Sequence, residues 1–104
     1  MVKKYDTRCP VVRAINAIGD GWSTLILRDL LLHEACKFQD FQKSLSTISP
    51  STLSQRLKRL EADKLIEREV YKEHPVRVVY KLSKKGKSLG PVILALKNWG
   101  EKNP

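Results

Sequence analysis

A chain of 104 residues and 11.9 kDa is long enough for one modest hydrophobic core, and a body so small would gain from oligomerisation. Its 20 Lys and Arg against 11 Asp and Glu give a net charge of +9 and a pI near 9.8, which points to a polyanionic partner. No apolar run of about eighteen residues offers a membrane span. No apolar stretch follows Lys3 and Lys4 to make a signal peptide. Two Cys and two His provide no metal-ligand spacing, and glycine-rich phosphate loops, His-Glu-x-x-His and GxSxG are absent. The expectation is a cytoplasmic protein, one domain over residues 1–104, neither an enzyme nor a membrane protein, with no metal or cofactor.

Pro10 to Ile18 carries Val11, Ile15 and Ile18 at helical spacing, and Gly19 is a natural stop. With Pro10 at the first helical position, Cys9 falls at the N-cap, where the positive end of the helix dipole favours a thiolate, and Arg8 adds charge. Cys9 is therefore a candidate reactive thiol; a small half-buried residue without reactivity is the equal alternative. After Asp20-Gly21 comes Trp22 to Leu32, with only Ser23, Thr24, Arg28 and Asp29 polar. A helix apolar over most of its circumference must be buried on more than one side, so this is the expected central helix. His33 reads as surface and Cys36 as packing, with Cys36-Lys37 leading on through a possible short third strand.

Phe38, Phe41 and Leu45 mark a second short amphipathic helix, and only Ser46, Thr47, Ile48 and Ser49 separate it from the next. That next helix starts at Pro50 behind Ser49 as N-cap and runs to Ala62. Leu53, Leu57 and Leu60 form its buried stripe. Ser51, Thr52, Ser54, Gln55, Arg56, Lys58 and Arg59 face outward. A helix, a four-residue connection and a capped polar helix make a helix-turn-helix. Small hydroxyls permit close approach, and Gln and Arg can pair bidentately with base edges in a major groove. Ser51, Thr52, Gln55 and Arg56 are the expected groove contacts, with Lys58 and Arg59 nearer the phosphates; a merely solvated face is the plain alternative.

Ile66 to Tyr71 and Val76 to Leu82 read as strands joined by the turn Lys72-Glu73-His74-Pro75. A helix-turn-helix followed by a basic hairpin is a winged helix. Arg77, and less strongly His74, are candidates for flanking-backbone contacts from the wing. Thirteen of the 20 Lys and Arg, against six of the 11 Asp and Glu, lie in residues 37–88, so +7 of the net +9 sits in this region. Ser83 is a plausible N-cap for a further helix, although Lys84, Lys85 and Lys87 in its first turn oppose the dipole by a few tenths of a kcal/mol each. Gly90-Pro91 should kink or restart that helix. Val92, Ile93, Leu96 and Trp99 then form an apolar stripe, which either folds back on the first helix or, the favoured reading, meets a second subunit.

The segments CPVVRAINAIGDGW, LILRDLL, ISPSTLSQRLKRLEADKLIEREVY, PVRVVYKLS and KKGKSLGPVILALKNWG, in this order from Cys9 to Gly100, resemble the HxlR-type family of bacterial transcriptional regulators, relatives of the MarR group. The resemblance implies an α+β, mainly helical winged helix-turn-helix with a two- or three-stranded wing sheet. It further implies a homodimer, joined through its N- and C-terminal helices with Val11 and Ile15 beside Val92, Ile93, Leu96 and Trp99, that binds double-stranded operator DNA of pseudo-palindromic sequence and represses or activates nearby genes. Some members sense electrophiles or oxidants with the cysteine matched by Cys9, so a small-molecule or electrophile effector is compatible. Gly21 stands where members often carry a basic side chain, which removes a backbone phosphate contact from that position. The competing expectation is a winged helix used as a protein interaction module, its basic face meeting an acidic partner.

Overall fold

In the computed structural model, which describes residues 6–104, the chain runs α1 (Pro10–Ile18), α2 (Gly21–Leu32), α3 (Phe38–Ser44), α4 (Pro50–Ala62), β1 (Ile66–Glu73), β2 (Val76–Leu82), α5 (Lys84–Lys87) and α6 (Gly90–Lys102). Lys3 and Lys4 lie outside the described residues. The fold is mostly helical with one two-stranded antiparallel sheet. Among the described residues no helix is long and apolar enough to cross a membrane.

Helix α2 packs against α1, α3, α4, α6 and β2, which is why its sequence is apolar on so many sides. Ile26 and Leu27 are fully buried and Leu30 nearly so, whereas Leu31 and Leu32 in the last turn stand exposed. Asp29 is buried beside them, which its position in an apolar run did not announce. Its Oδ1 accepts from Arg28 Nη2 at 2.9 Å, and the same nitrogen donates to Ser44 Oγ at 3.2 Å, tying α2 to the end of α3. The core is completed by Cys36, Phe41, Leu45, Ile48, Leu53, Leu57, Leu60, Leu65, Ile66 and Leu82.

Caps set the start of α4. Ser49 Oγ accepts from the Thr52 amide at 3.0 Å, Pro50 occupies the first helical position, and Ile48 and Leu53, flanking the cap, both enter the core as a hydrophobic staple. Its C-terminus is closed in a way the sequence conceals. The Leu65 amide donates to Leu60 O and the Lys64 amide to Glu61 O, both at 2.9 Å, while Lys64 takes φ +62°. This is the two-bond C-cap usually completed by glycine, here with a lysine in the left-handed region. Lys64→Gly should therefore raise stability by about 1 kcal/mol. The check is a denaturant midpoint that rises at unchanged m-value; an unmoved midpoint would mean the lysine is not strained there.

The strands pair from Ile66↔Leu82 to Glu73↔Val76, with a register shift between Val70 and Lys72. β1 thus runs two residues beyond its expected end, and the turn is only His74-Pro75. The expected third strand is a single bridge, Cys36↔Tyr80, in which the Tyr80 amide donates to Cys36 O at 2.7 Å and the Cys36 amide to Tyr80 O at 3.0 Å. Phe41 meets the Tyr80 ring edge-on at a centroid distance of 6.2 Å, and Lys37 Nζ lies 5.7 Å from the centre of the Tyr71 ring. The hairpin is thereby fixed to the start of α3 as well as to α2. After Leu82, Ser83 caps α5, where Gly86 is required because a Cβ would run into the Leu65 carbonyl oxygen. Gly90-Pro91 restarts the chain as α6.

Candidate nucleic-acid interface

Helix α4 divides as its spacing demands. Leu53, Leu57 and Leu60 are buried, and on the opposite side Ser51, Gln55, Lys58 and Ala62 are all exposed. At about 100° per residue these four form one line along the helix. Thr52 sits half-buried at the flank, its Oγ1 accepting from Ser49 Oγ at 2.9 Å, so part of its hydroxyl is engaged by the cap.

Both arginines lie on the flank facing α1 and α2, and both have partners there. Arg59 Nη1 donates to Asp63 Oδ2 at 2.8 Å and to Asn16 O at 3.3 Å, while Nη2 donates to Ala17 O at 3.3 Å. Its side chain is 19% exposed. The last carbonyls of a helix lack intrahelical donors, and this guanidinium supplies them for α1. Gly19, at φ +74°, makes room: a Cβ there would collide with Arg59 Nη2. Arg59, expected nearer the phosphates, clasps α4 to the end of α1.

Arg56 is differently placed. Its Nε donates to Asp20 Oδ2 at 2.6 Å, and its Nη1 lies 3.4 Å from Gln55 Oε1. Asp20 also caps α2, its Oδ1 accepting from the Ser23 amide at 2.9 Å. Burial by itself would raise the Asp20 pKa, but the Ser23 amide and then the Arg56 guanidinium outweigh it and hold the carboxyl below its ordinary value. In the sequence Asp20 stands out only as part of the chain break Asp20-Gly21. Its role as a cap was legible from the residue type, whereas its grip on Arg56 spans 36 positions.

At the wing, His74 and Arg77 are exposed at the tip. The candidates thus fall into an open line on α4, a flank held by α1 and α2, and a separate hairpin tip.

Cys9 occupies the N-cap of α1, exposed, with no hydrogen bond from its side chain to the helix. The positive charge expected from Arg8 is offset, since its guanidinium pairs with Asp6 at 2.8 Å. Cys36 is 3% exposed, and burial first, then the carboxylates of Asp40 and Asp29, push its thiol up to about 11 from 9.0. A thiol reagent at neutral pH should label native protein at Cys9 and reach Cys36 only on unfolding; equal rates at both would remove the distinction. The sign for Cys36 follows from linkage: its contribution to stability is complete below the unfolded value of 9.0 and is lost as pH rises through about 11. Among the described residues no group of three or more His, Cys, Asp and Glu could hold a metal ion.

Of the residues expected at a subunit interface, Val11, Ile15, Leu96 and Trp99 are exposed and Val92 is half-buried. Ile93 is corrected: it is 8% exposed and packs into its own chain. It follows Val92 directly and so points about 100° away from the Val92, Leu96 and Trp99 stripe.

A short helix, a tight connection, a capped leucine-backed helix and an anchored basic hairpin are the winged helix-turn-helix of transcription regulators. The chain belongs to the HxlR-like helix-turn-helix family, whose model matches residues 17–104. It is 40% identical over 94 residues to the uncharacterized HTH-type transcriptional regulator YdeP of Bacillus subtilis, covering 90% of this chain and 73% of YdeP. It is 33% identical over 97 residues to the HTH-type transcriptional regulator YodB of the same organism, covering 92% of this chain and 86% of YodB. Among solved structures, the redox regulator HypR in its oxidized form superposes with a TM-score of 0.86 at 33% identity, covering 92% of this chain and 98% of HypR.

Proposed function

We propose that this transcriptional regulator acts as a homodimer that binds a pseudo-palindromic operator in double-stranded DNA. The observation that carries the reading is the unobstructed line of Ser51, Gln55, Lys58 and Ala62, presenting a hydroxyl, a carboxamide, an ammonium and a bare methyl on a helix rigidly backed by leucines. Such a line suits the major groove, where small groups allow approach and the amide reads base edges. Lys58 serves the phosphates, and Arg77 with His74 reaches the flanking backbone from the wing. The concentration of +7 of the net +9 in residues 37–88 supports a polyanion over an uncharged partner. Val11, Ile15, Val92, Leu96 and Trp99 supply the apolar surface for a second copy, and two recognition helices about one DNA turn apart, roughly 34 Å, would match an inverted repeat.

A thiol-based step at Cys9 is part of the same reading. It is supported by the exposure of Cys9 at a helix N-terminus and by the similarity to HypR, described as a redox regulator, and to YodB, also studied after diamide treatment.

Titration with a labelled duplex at stepped salt tests the DNA reading. With about six to eight phosphates neutralised, log K should fall with log salt at about −0.9 per phosphate. A basic module for an acidic protein would instead leave random duplex unbound even at low salt. Gln55→Ala should lose about 1–3 kcal/mol of discrimination between selected and random DNA, and Lys58→Ala should weaken both about equally. Identical behaviour of the two variants would refute the division between reading and anchoring positions.

A further inference from the structure

We propose that Asp20 is a positioning residue that makes Arg56 a reader of guanine instead of an anchor for phosphate, an inference that rests on the DNA-binding reading above. The geometry is a short relay from one helix end to the recognition helix. The Asp20 carboxylate is fixed by its own cap, Oδ1 receiving the Ser23 amide, so Oδ2 is held in place for the Nε edge of Arg56 at 2.6 Å. That contact fixes the plane of the guanidinium. Nη1 lies 3.4 Å from Gln55 Oε1, and Nη2 donates to no group among the described residues. A cleft of about 230 Å³ lined by Asp20, Ser23, Gln55, Arg56 and Arg59 keeps this donor set open.

Two consequences follow from the chemistry. An arginine paired with a carboxylate is close to neutral as a unit, so a phosphate gains little by approaching it, and counterion release at that position is small. The planar fork nevertheless keeps Nη donors in a fixed orientation, and the paired O6 and N7 acceptors of guanine in the major groove are the base-edge partner they fit. Gln55 is drawn into the same arrangement. Because a guanidinium only donates, the Gln55 carboxamide must turn its oxygen toward Arg56, which leaves its NH₂ facing outward as a donor. Asp20 thus lowers the sequence-independent attraction of this flank and raises the directional part of the recognition.

The test compares wild type with Asp20→Asn, which retains a good N-cap for α2 while removing the charge. DNA fragments selected from a random pool by the wild type provide the specific probe, and a random duplex provides the non-specific one. Asp20→Asn should bind random duplex more tightly, with a salt slope steeper by about one phosphate, and should lose about tenfold or more in discrimination. Arg56→Ala should relax preference at one guanine per half-site, and adding Asp20→Asn to it should change discrimination little. Unchanged discrimination in Asp20→Asn, or equal weakening on both probes, would overturn the proposal, and thermal melts of the variants separate either result from a folding defect. Wild type that discriminates while Asp20→Asn is unchanged sinks only the role of Asp20; wild type that binds neither duplex sinks the DNA reading as well.

Discussion

Trp99→Asp should leave each chain folded and lower affinity for a two-half-site operator about 10²- to 10⁴-fold, the loss expected when a second linked binding event disappears. Trp99 is 68% exposed in the single chain, so its replacement removes nothing from the core. In a dimer the same indole would be the largest apolar group of the stripe, and a side chain of this class removes about 150–250 Å² from water at about 25 cal/mol per Å². An unpaired carboxylate put in its place would have to be desolvated on association, a cost that opposes the dimer. Sedimentation equilibrium should show a monomer, circular dichroism should show wild-type helicity, and a titration with a single half-site should be little affected. A dimer that persists in Trp99→Asp would place its interface away from α6.

Phe41→Ala should have the opposite profile, lowering stability by about 3–5 kcal/mol. Phe41 is fully buried, lies in the same core as Leu53, Leu57 and Leu60, and meets Tyr80 of the wing edge-on. Its loss leaves a cavity at the point where α3, α4 and the hairpin converge. A total stability of about 5–15 kcal/mol for a domain makes this a large fraction. Urea denaturation followed by circular dichroism reads the change. The exposed line on α4 would be untouched in the molecules that remain folded, so DNA affinity corrected for the folded fraction should stay near wild type. A cost below about 1 kcal/mol would mean that the core collapses around the gap.

These two residues also mark what the linear chain discloses. Phe41 is readable as core because its spacing from Phe38 and Leu45 gives a helical face with one side apolar. The helix starts at Pro10, Pro50 and after Ser83 are legible for the same kind of reason: a proline fixed at the first helical position, or a capping hydroxyl on Ser49 and Ser83 that accepts from an amide three residues on, keeps the signal inside a short window. The strand over Val76 to Leu82 and the restart at Gly90-Pro91 likewise rest on local backbone preferences. Apolarity alone does not distinguish the side of α6 that meets its own chain, where Ile93 lies, from the side left open. The left-handed turn at Lys64 carries no sequence signal, because that C-cap position is ordinarily marked by glycine.

The sequence by itself determined the leucine-backed α4, the hairpin that follows it and the placing of the positive charge, since each depends on residue type and near-neighbour spacing. Which charged groups on α4 stand open was decided only by the tertiary structure. Arg56 and Arg59 are the same residue type on the same flank. One ends on the carbonyls of α1 and Asp63, the other on the cap of α2. A guanidinium takes the acceptors that another element brings within about 3 Å, and that arrangement exists only after α1 and α2 have packed against α4.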